Sequence, residues 1–162
     1  KNIIIVGDSM VKHLNENRLS KQHNVKVNPF RGSTTVNMQD HIKQYLEEQP
    51  DIVGIHSGTN DIPRNINTFK HMKKLVKAIR ENSENTEIFI SGIINRYDKE
   101  EYKIKIDTIN EKLEKYCKDN NIHFVNNNDI NRQGIGRDKI HLNYSGNSIL
   151  AKNFLNLFNS LK

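Results

Sequence analysis

The sequence contains only one cysteine, Cys117. A single cysteine excludes an internal disulfide and any zinc site or iron–sulfur cluster built from several cysteines. No apolar run approaches the roughly 20 residues that cross a membrane as a helix. The short apolar run at residues 2–6 lacks the length and the flanks of a signal peptide. We therefore expect no disulfide, no cysteine-bound metal and no transmembrane segment.

Several motifs that are common in α/β enzymes are also missing. The sequence has no G-x-G-x-x-G after its first apolar run, no G-x-x-x-x-G-K-[ST] and no H-E-x-x-H, which removes dinucleotide binding, P-loop chemistry and zincin hydrolysis. G-x-S-x-G is absent because Gly7-Asp8-Ser9-Met10-Val11 lacks the second glycine, so the ordinary nucleophile elbow is excluded. A serine nucleophile in a different geometry stays open, and no cofactor is expected.

Basic residues exceed acidic ones, since 25 Lys and Arg against 19 Asp and Glu give a net charge of +6. This balance can favour phosphate backbones or anionic surfaces, but no motif indicates nucleic acid, which stays an alternative partner. The 162 residues fit one domain. Because Lys1 stands where a methionine would begin a chain, we expect residues 1–162 to be a single domain excised from a longer protein.

Apolar runs alternate with segments of helical period along the whole chain. Five runs read as buried strands: Ile3–Val6, Val25–Phe30, Ile52–Ile55, Ile88–Ile90 and Ile122–Val125. Helices are predicted through Val11 and Leu14, over Val36–Glu48, through Phe69–Ile79 and Tyr102–Tyr116, and over Tyr144–Leu161. Strands this apolar are covered on both faces, and helices between them imply parallel pairing. The predicted fold is a three-layer α/β/α sandwich with a five-stranded parallel sheet.

Four short polar segments fall at predicted strand ends or just before the last helix. They are Gly7-Asp8-Ser9, Arg31-Gly32-Ser33, Gly58-Thr59-Asn60-Asp61 and Asp138-Lys139-Ile140-His141. The carboxyl ends of parallel strands lie on one edge of the sheet, where α/β proteins bind their ligands. A serine, an aspartate and a histidine are therefore expected to meet there.

This set of segments resembles the SGNH family, also called GDSL esterases and lipases, whose four sequence blocks supply Ser, Gly, Asn and His. The resemblance runs from Ser9 to His141 in the family's order. The Gly-Asp-Ser-Met start and the wealth of lysine and asparagine are most similar to the small esterase domains of animal retrotransposon proteins. Val11-Lys12 stands where many bacterial members have a glycine after the serine. The short chain also argues against lid-like insertions and long-chain lipid pockets.

The resemblance implies a flavodoxin-like SGNH hydrolase fold and a catalytic triad. Ser9 would be the nucleophile, His141 the base that takes its proton, and Asp138 the carboxylate that holds the imidazole tautomer. The backbone N–H groups of Ser9 and Gly32 and the side-chain amide of Asn60 would form the oxyanion hole. No metal takes part in this chemistry.

Each of these residues also has a structural interpretation. Ser9 can cap a helix, as Asp8 can, and Asn60-Asp61 can form an Asx turn. Asp138 and His141 can be plain surface residues. Other side chains are interpreted as structural: Asp8 and Asp61 as loop anchors, His56 as a structural histidine and the only one of the other histidines near the site, Cys117 as a core residue, and Lys70, Lys73, Lys74 and Lys77 as a solvated helix face without interleaved aromatic residues.

The leading hypothesis is a serine esterase that removes short acyl groups, acetyl above all, from a small or lipid-like ester. One rival is an acyltransferase that uses the same residues. A second rival is a binding module with a vestigial site, whose basic faces recruit RNA or membrane lipid. The sequon Asn143-Tyr144-Ser145 lies beside His141, and a glycan there would crowd the site, which favours an intracellular protein.

Overall fold

The computed structural model describes residues 1–161, and its centre is a sheet of five parallel strands. These are β1 (Asn2–Gly7), β2 (Asn24–Pro29), β3 (Ile52–His56), β4 (Glu87–Ser91) and β5 (His123–Val125). Their order in the sheet is β2-β1-β3-β4-β5. All neighbours run parallel, with Ile3 opposite Val25 on one side of β1 and opposite Ile52 on the other. The carboxyl ends of all five strands therefore share one edge.

Within residues 1–161, six α-helices flank this sheet. They are α1 (Glu16–Leu19), α2 (Thr35–His41), α3 (Lys43–Leu46), α4 (Thr68–Asn82), α5 (Glu101–Asp119) and α6 (Tyr144–Ser160). Short 3₁₀ turns lie at Ser9–Val11, Ile62–Arg64 and Arg132–Gly134. No helix within residues 1–161 is both long enough and apolar enough to span a membrane.

Alternate strand residues point to opposite faces, and each face has its own core. On one face Ile4, Val6 and Val53 pack with helices α2 to α5. On the other face Ile3 and Ile5 pack with the buried residues of α1 and α6, among them Leu19, Leu150, Phe154 and Phe158. The three-layer sandwich and the five-stranded parallel sheet predicted from the sequence are confirmed.

Two predicted helices are wrong in detail. The helical stretch expected through Val11 and Leu14 is a 3₁₀ turn followed by the separate helix α1, because the Asn15 side chain caps a new helix by accepting from Asn17 N–H. The helix expected over Val36–Glu48 is divided at Ile42, where a tighter bond from Tyr45 N–H to the Ile42 carbonyl replaces one α-helical bond. The last residue of the predicted domain, Lys162, lies outside the described residues.

Candidate active site

Ser9 lies just beyond the carboxyl end of β1, at the first residue of its 3₁₀ turn. Asp8 caps this turn, since its Oδ1 accepts a hydrogen bond from the backbone N–H of Met10 at 3.0 Å. The Ser9 hydroxyl takes no part in the cap. Its Oγ lies 3.2 Å from Nε2 of His141. The capping role considered for Ser9 thus belongs to Asp8, and the serine faces an imidazole.

Asp138 lies on the far side of the His141 ring, with its Oδ2 2.6 Å from Nδ1. Its other oxygen accepts the backbone N–H groups of Ile140 at 3.0 Å and His141 at 2.9 Å. These hydrogen bonds lower the pKa of Asp138 to about 2, and the one from Ile140 contributes most. The carboxylate is therefore ionised at neutral pH. An ionised carboxylate only accepts. Nδ1 therefore carries the proton, and Nε2 presents its lone pair to Ser9.

A tight turn aims this pair at the serine. Lys139, between Asp138 and His141, adopts the left-handed backbone conformation with φ 65°. The turn is closed by Gly136 N–H, which donates to the His141 carbonyl at 2.8 Å. Both side chains of this pair are about half exposed, at 51% for Asp138 and 49% for His141. Substrate and water therefore have direct access to the imidazole.

The expected oxyanion-hole residues lie at the ends of β2 and β3. Gly32 has φ 72°, and a Cβ placed there would meet no atom within 4 Å, so the left-handed turn rather than crowding requires glycine. Asn60 Nδ2 donates to the Ser33 carbonyl at 3.0 Å, which fixes the amide beside Gly32. Within residues 1–161 the backbone N–H groups of Ser9 and Gly32 donate to no acceptor. Both N–H groups are therefore available to an acceptor on a bound ligand.

Two buried aspartates anchor the loops beneath the site. Asp61 accepts the Thr35 backbone N–H at 2.9 Å and the Thr68 hydroxyl at 2.8 Å, which joins the start of α2 to the start of α4. Burial raises the pKa of Asp8 to about 7, and the nearby Asp61 adds to the rise. Asp8 Oδ2 has no hydrogen-bond partner. Both aspartates hold loops through backbone hydrogen bonds.

His56, interpreted as structural, lies in the core with its Nδ1 2.7 Å from the Ser91 hydroxyl. Burial lowers the pKa of its imidazole to about 4, so the ring is neutral. The sequence reading placed His56 alone among the other histidines near the site, and this is wrong: His13 lines the cleft beside Ser9 and His141. It follows the 3₁₀ turn, whose compact geometry the apolar pattern did not reveal.

Sequence reasoning also missed two residues that support the histidine loop. Asn143 caps α6 through Gly146 N–H at 3.0 Å and donates to the Gln133 carbonyl at 2.7 Å. At Gly146 a Cβ would lie 2.1 Å from the Gly134 carbonyl oxygen, so α6 begins in direct contact with this loop. The pattern Asn-x-x-Gly at a helix start is the signal that was available. Since the Asn143 amide is used inside the fold, glycosylation of the sequon would break these bonds.

The remaining predicted structural residues are in the places expected of them. Cys117 is buried, and burial raises its pKa to about 12. The four lysines of α4 are all exposed, but Lys73 lies 4.5 Å from the Phe69 ring centroid. Phe69 also contacts Tyr116 of α5 edge to face at 5.8 Å. Phe69 packs against the core rather than on the solvated face, so the lysines form the exposed face that the sequence predicted.

Away from Ser9, neither the cavity described next nor a metal-binding cluster provides a further candidate site among the described residues. A polar cavity of about 410 Å³ between α5 and the ends of β4 and β5 contains none of the predicted site residues. Among residues 1–161, no group of three or more His, Cys, Asp or Glu side chains is arranged to hold a metal ion. Within the described residues, the predicted catalytic side chains are therefore those that lie around Ser9.

Comparison with known families gives a single result. The model of the GDSL-like Lipase/Acylhydrolase family matches residues 6–149. The chain belongs to this family. The predicted recognition and enzyme class, an SGNH/GDSL-type ester hydrolase, are confirmed. No curated protein sequence matches the chain.

Solved structures similar to this GDSL-like hydrolase come from bacteria and from an animal retrotransposon. A member of the lipolytic protein G-D-S-L family from Veillonella parvula has a TM-score of 0.83 at 19% identity, covering 98% of each chain. The acetylxylan esterase Axe2 from Geobacillus stearothermophilus has a TM-score of 0.80 at 15% identity, with 99% of this chain and 94% of that chain covered. The esterase domain of the ORF1 protein of a zebrafish retrotransposon is 27% identical over 99% of this chain and 100% of that chain, with a TM-score of 0.52.

Proposed function

We propose that this GDSL-like hydrolase is a serine esterase that cleaves short-chain carboxylic esters, acetyl esters above all, through an acyl-enzyme. The observation that carries the proposal is the line of contacts from Asp138 through His141 to Ser9, at 2.6 and 3.2 Å. An imidazole held in this tautomer can take the hydroxyl proton as the serine attacks.

The reaction follows from these contacts. Ser9 Oγ bonds to the ester carbonyl carbon while its proton passes to His141 Nε2, and the carbonyl oxygen becomes an oxyanion that Ser9 N–H, Gly32 N–H and Asn60 stabilise. The imidazolium then gives its proton to the departing alcohol. Water attacks the acyl-enzyme with His141 again as base, and the carboxylic acid leaves. Asp138 keeps its charge throughout and stabilises the imidazolium.

The preference for short acyl groups is supported by the space beside the serine. The cleft next to Ser9 and His141 has a volume of about 70 Å³ and includes Met10 and Leu142 in its lining. Ligand pockets usually have volumes of about 300–1,000 Å³, so this cleft alone provides no deep pocket for a long acyl chain. The same fold also carries an acetylxylan esterase, which is consistent with acetyl chemistry.

The decisive experiment compares the wild type with Ser9→Ala on p-nitrophenyl acetate. We expect loss of hydrolysis with an unchanged melting temperature, because a hydroxyl removed from an exposed loop costs little stability. A fluorophosphonate probe should label the wild type and not the variant. Ser160→Ala, which removes an exposed serine at the end of α6, serves as the control and should keep full activity. Retention of most activity in Ser9→Ala would exclude Ser9 as the nucleophile.

A further inference from the structure

The segment that follows β4 contacts both halves of the site, and one of its residues is a buried arginine. Arg96 is 7% exposed, although it lies in an irregular segment outside every helix and strand. A buried guanidinium must be paired and hydrogen-bonded to offset its loss of water. Asp98 provides the pair, accepting from Nε at 2.8 Å and from Nη2 at 2.7 Å. The side-chain hydrogen bond from Arg96 is the main cause that lowers the pKa of Asp98. The pair is therefore ionised.

The remaining arm of the guanidinium reaches the loop that carries Asn60. Nη1 of Arg96 donates to the Thr59 carbonyl oxygen at 2.9 Å. That carbonyl belongs to the peptide unit whose nitrogen is the backbone nitrogen of Asn60, and a peptide unit is planar. Holding the oxygen therefore sets the orientation of the whole Thr59–Asn60 peptide. The Asn60 side-chain amide donates separately to the Ser33 carbonyl. The backbone and the side chain of Asn60 are therefore both held in place.

The next residue along the segment contacts the other half of the site. Tyr97 N–H donates to the Lys139 carbonyl at 2.7 Å, and Lys139 lies between Asp138 and His141. The segment is also tied to α5, because the Arg96 guanidinium lies 5.2 Å from the centroid of the Tyr102 ring. Two adjacent residues thus contact the asparagine loop and the histidine loop.

We propose that Arg96 is a positioning residue for the oxyanion hole, which sets the Thr59–Asn60 peptide plane and so aims the Asn60 amide at the developing oxyanion. This inference rests on the proposed esterase function for its kinetic consequence. Arg96 does not touch the substrate, because its charge is paired with Asp98 and its side chain is buried. Its contribution passes through Asn60.

The kinetic test is a double-mutant cycle between Arg96 and Asn60 on p-nitrophenyl acetate. A misplaced catalytic group costs up to about a hundredfold in rate, so Arg96→Met should lower kcat by tenfold to about a hundredfold while KM stays within about twofold. Asn60→Ala should lower kcat by about a hundredfold. If Arg96 acts through Asn60, adding Arg96→Met to Asn60→Ala should cost less than about threefold more. Losses that multiply in the double variant would overturn the proposal.

Two further variants separate positioning from general stability. Arg96→Lys should regain part of the lost kcat, because an ammonium reaches the Thr59 carbonyl but cannot also bind Asp98 through two nitrogens. Arg80→Met is the matched control, since Arg80 also donates to a backbone carbonyl, that of Asn120, at the other end of the molecule. It should leave kcat unchanged. An equal loss in both arginine variants would indicate a structural effect and overturn the proposal.

Hydrogen exchange gives an answer that does not depend on catalysis. In Arg96→Met, backbone amides of residues 57–61 should exchange at least tenfold faster than in the wild type, while those of β1 stay unchanged. Unaltered exchange in 57–61 would overturn the positioning role even in a chain that hydrolyses esters. Faster exchange in a chain that hydrolyses no ester, or whose Ser9→Ala variant stays active, would instead support the positioning role and reject the proposed function.

Discussion

Two buried titratable side chains lie under the candidate active site, and both are neutral at pH values where they would ordinarily be charged. Burial lowers the pKa of His56 to about 4 and raises that of Asp8 to about 7. A carboxyl with one oxygen unpartnered is easier to bury without its charge. Burial thus disfavours the charged form of both side chains beneath the site.

The raised pKa of Asp8 predicts a stability that depends on pH. The folded state holds the proton up to about pH 7 and the unfolded state only to about 3.8, so this stabilisation is complete below about pH 3.8 and is lost as pH rises through 7. Relative to Asp8→Asn, the wild type should lose up to about 1.4 kcal/mol per pH unit between these values. Urea unfolding at pH 4.5, 5.5, 6.5 and 7.5 measures the difference.

Asp40→Asn, at an exposed position on α2, is the control for this series and should show no such trend. A constant difference between wild type and Asp8→Asn across the window would mean that Asp8 is ionised in the folded protein.

Individual residues differ in how far the sequence could reveal them. Ser9 and Asn60 stand in short motifs at strand ends, which parallel pairing brings together, and His141 stands in a short motif just before the last helix. Arg96 has no motif. Its importance comes from a guanidinium buried between two loops, and a lone arginine in an irregular segment looks the same in sequence as one in solvent. His13 was missed for a similar reason, because the 3₁₀ turn that directs it depends on the Asp8 cap.

Among the elements, α4 offers the clearest test of the charge hypothesis. Thr68 at its first residue contacts Asp61, so this end lies at the site edge. With a rise of about 1.5 Å per residue, Lys73, Lys74 and Lys77 lie about 8–14 Å farther along the axis, at or beyond the distance over which salt screens charge. Replacing all three by Gln should therefore leave kcat/KM for neutral p-nitrophenyl acetate within twofold.

RNA oligonucleotide binding by the wild type and the same variant is also measured over a range of salt concentrations. The salt dependence shows whether these lysines contact phosphate. Turnover reduced tenfold or more in the triple variant would move the functional surface from the strand-end cleft to α4.

The strands were more predictable than the helices. Ile3–Val6 and Ile52–Ile55 are continuous apolar runs, and only a strand buried on both faces suits them. Helix boundaries depended on local hydrogen bonds instead. The Asn15 cap divided one predicted helix, and a single tightened bond at Ile42 divided another. Neither division changes the spacing of apolar residues along the sequence, so that spacing did not reveal them.

At the scale of the whole molecule, the short chain leaves little lining for a deep tunnel. We predict that kcat/KM falls steadily along p-nitrophenyl esters from acetate to palmitate, because the cleft beside Ser9 is only about 70 Å³. Leu142→Ala should raise the relative rate for butyrate by removing part of that wall.

Leu157→Ala, which shortens a half-buried leucine near the end of α6, is the matched control and should keep the wild-type order of substrates. Equal or faster turnover of dodecanoyl esters by the wild type would contradict the short-chain preference.

The contact between Ser9 and His141 joins residues 132 positions apart, which has a consequence for synthesis on the ribosome. In the proposed mechanism the nucleophile emerges with the first strand, and the base emerges only after all five strands have been made. A nascent chain stalled before residue 141 holds the serine and the asparagine without a base, so it stays inert toward esters even if its sheet has formed. Ester turnover therefore reports completion of nearly the whole domain. For the same reason, two inactive fragments divided in the exposed turn at Glu84 and Asn85 would register their reassembly as restored hydrolysis.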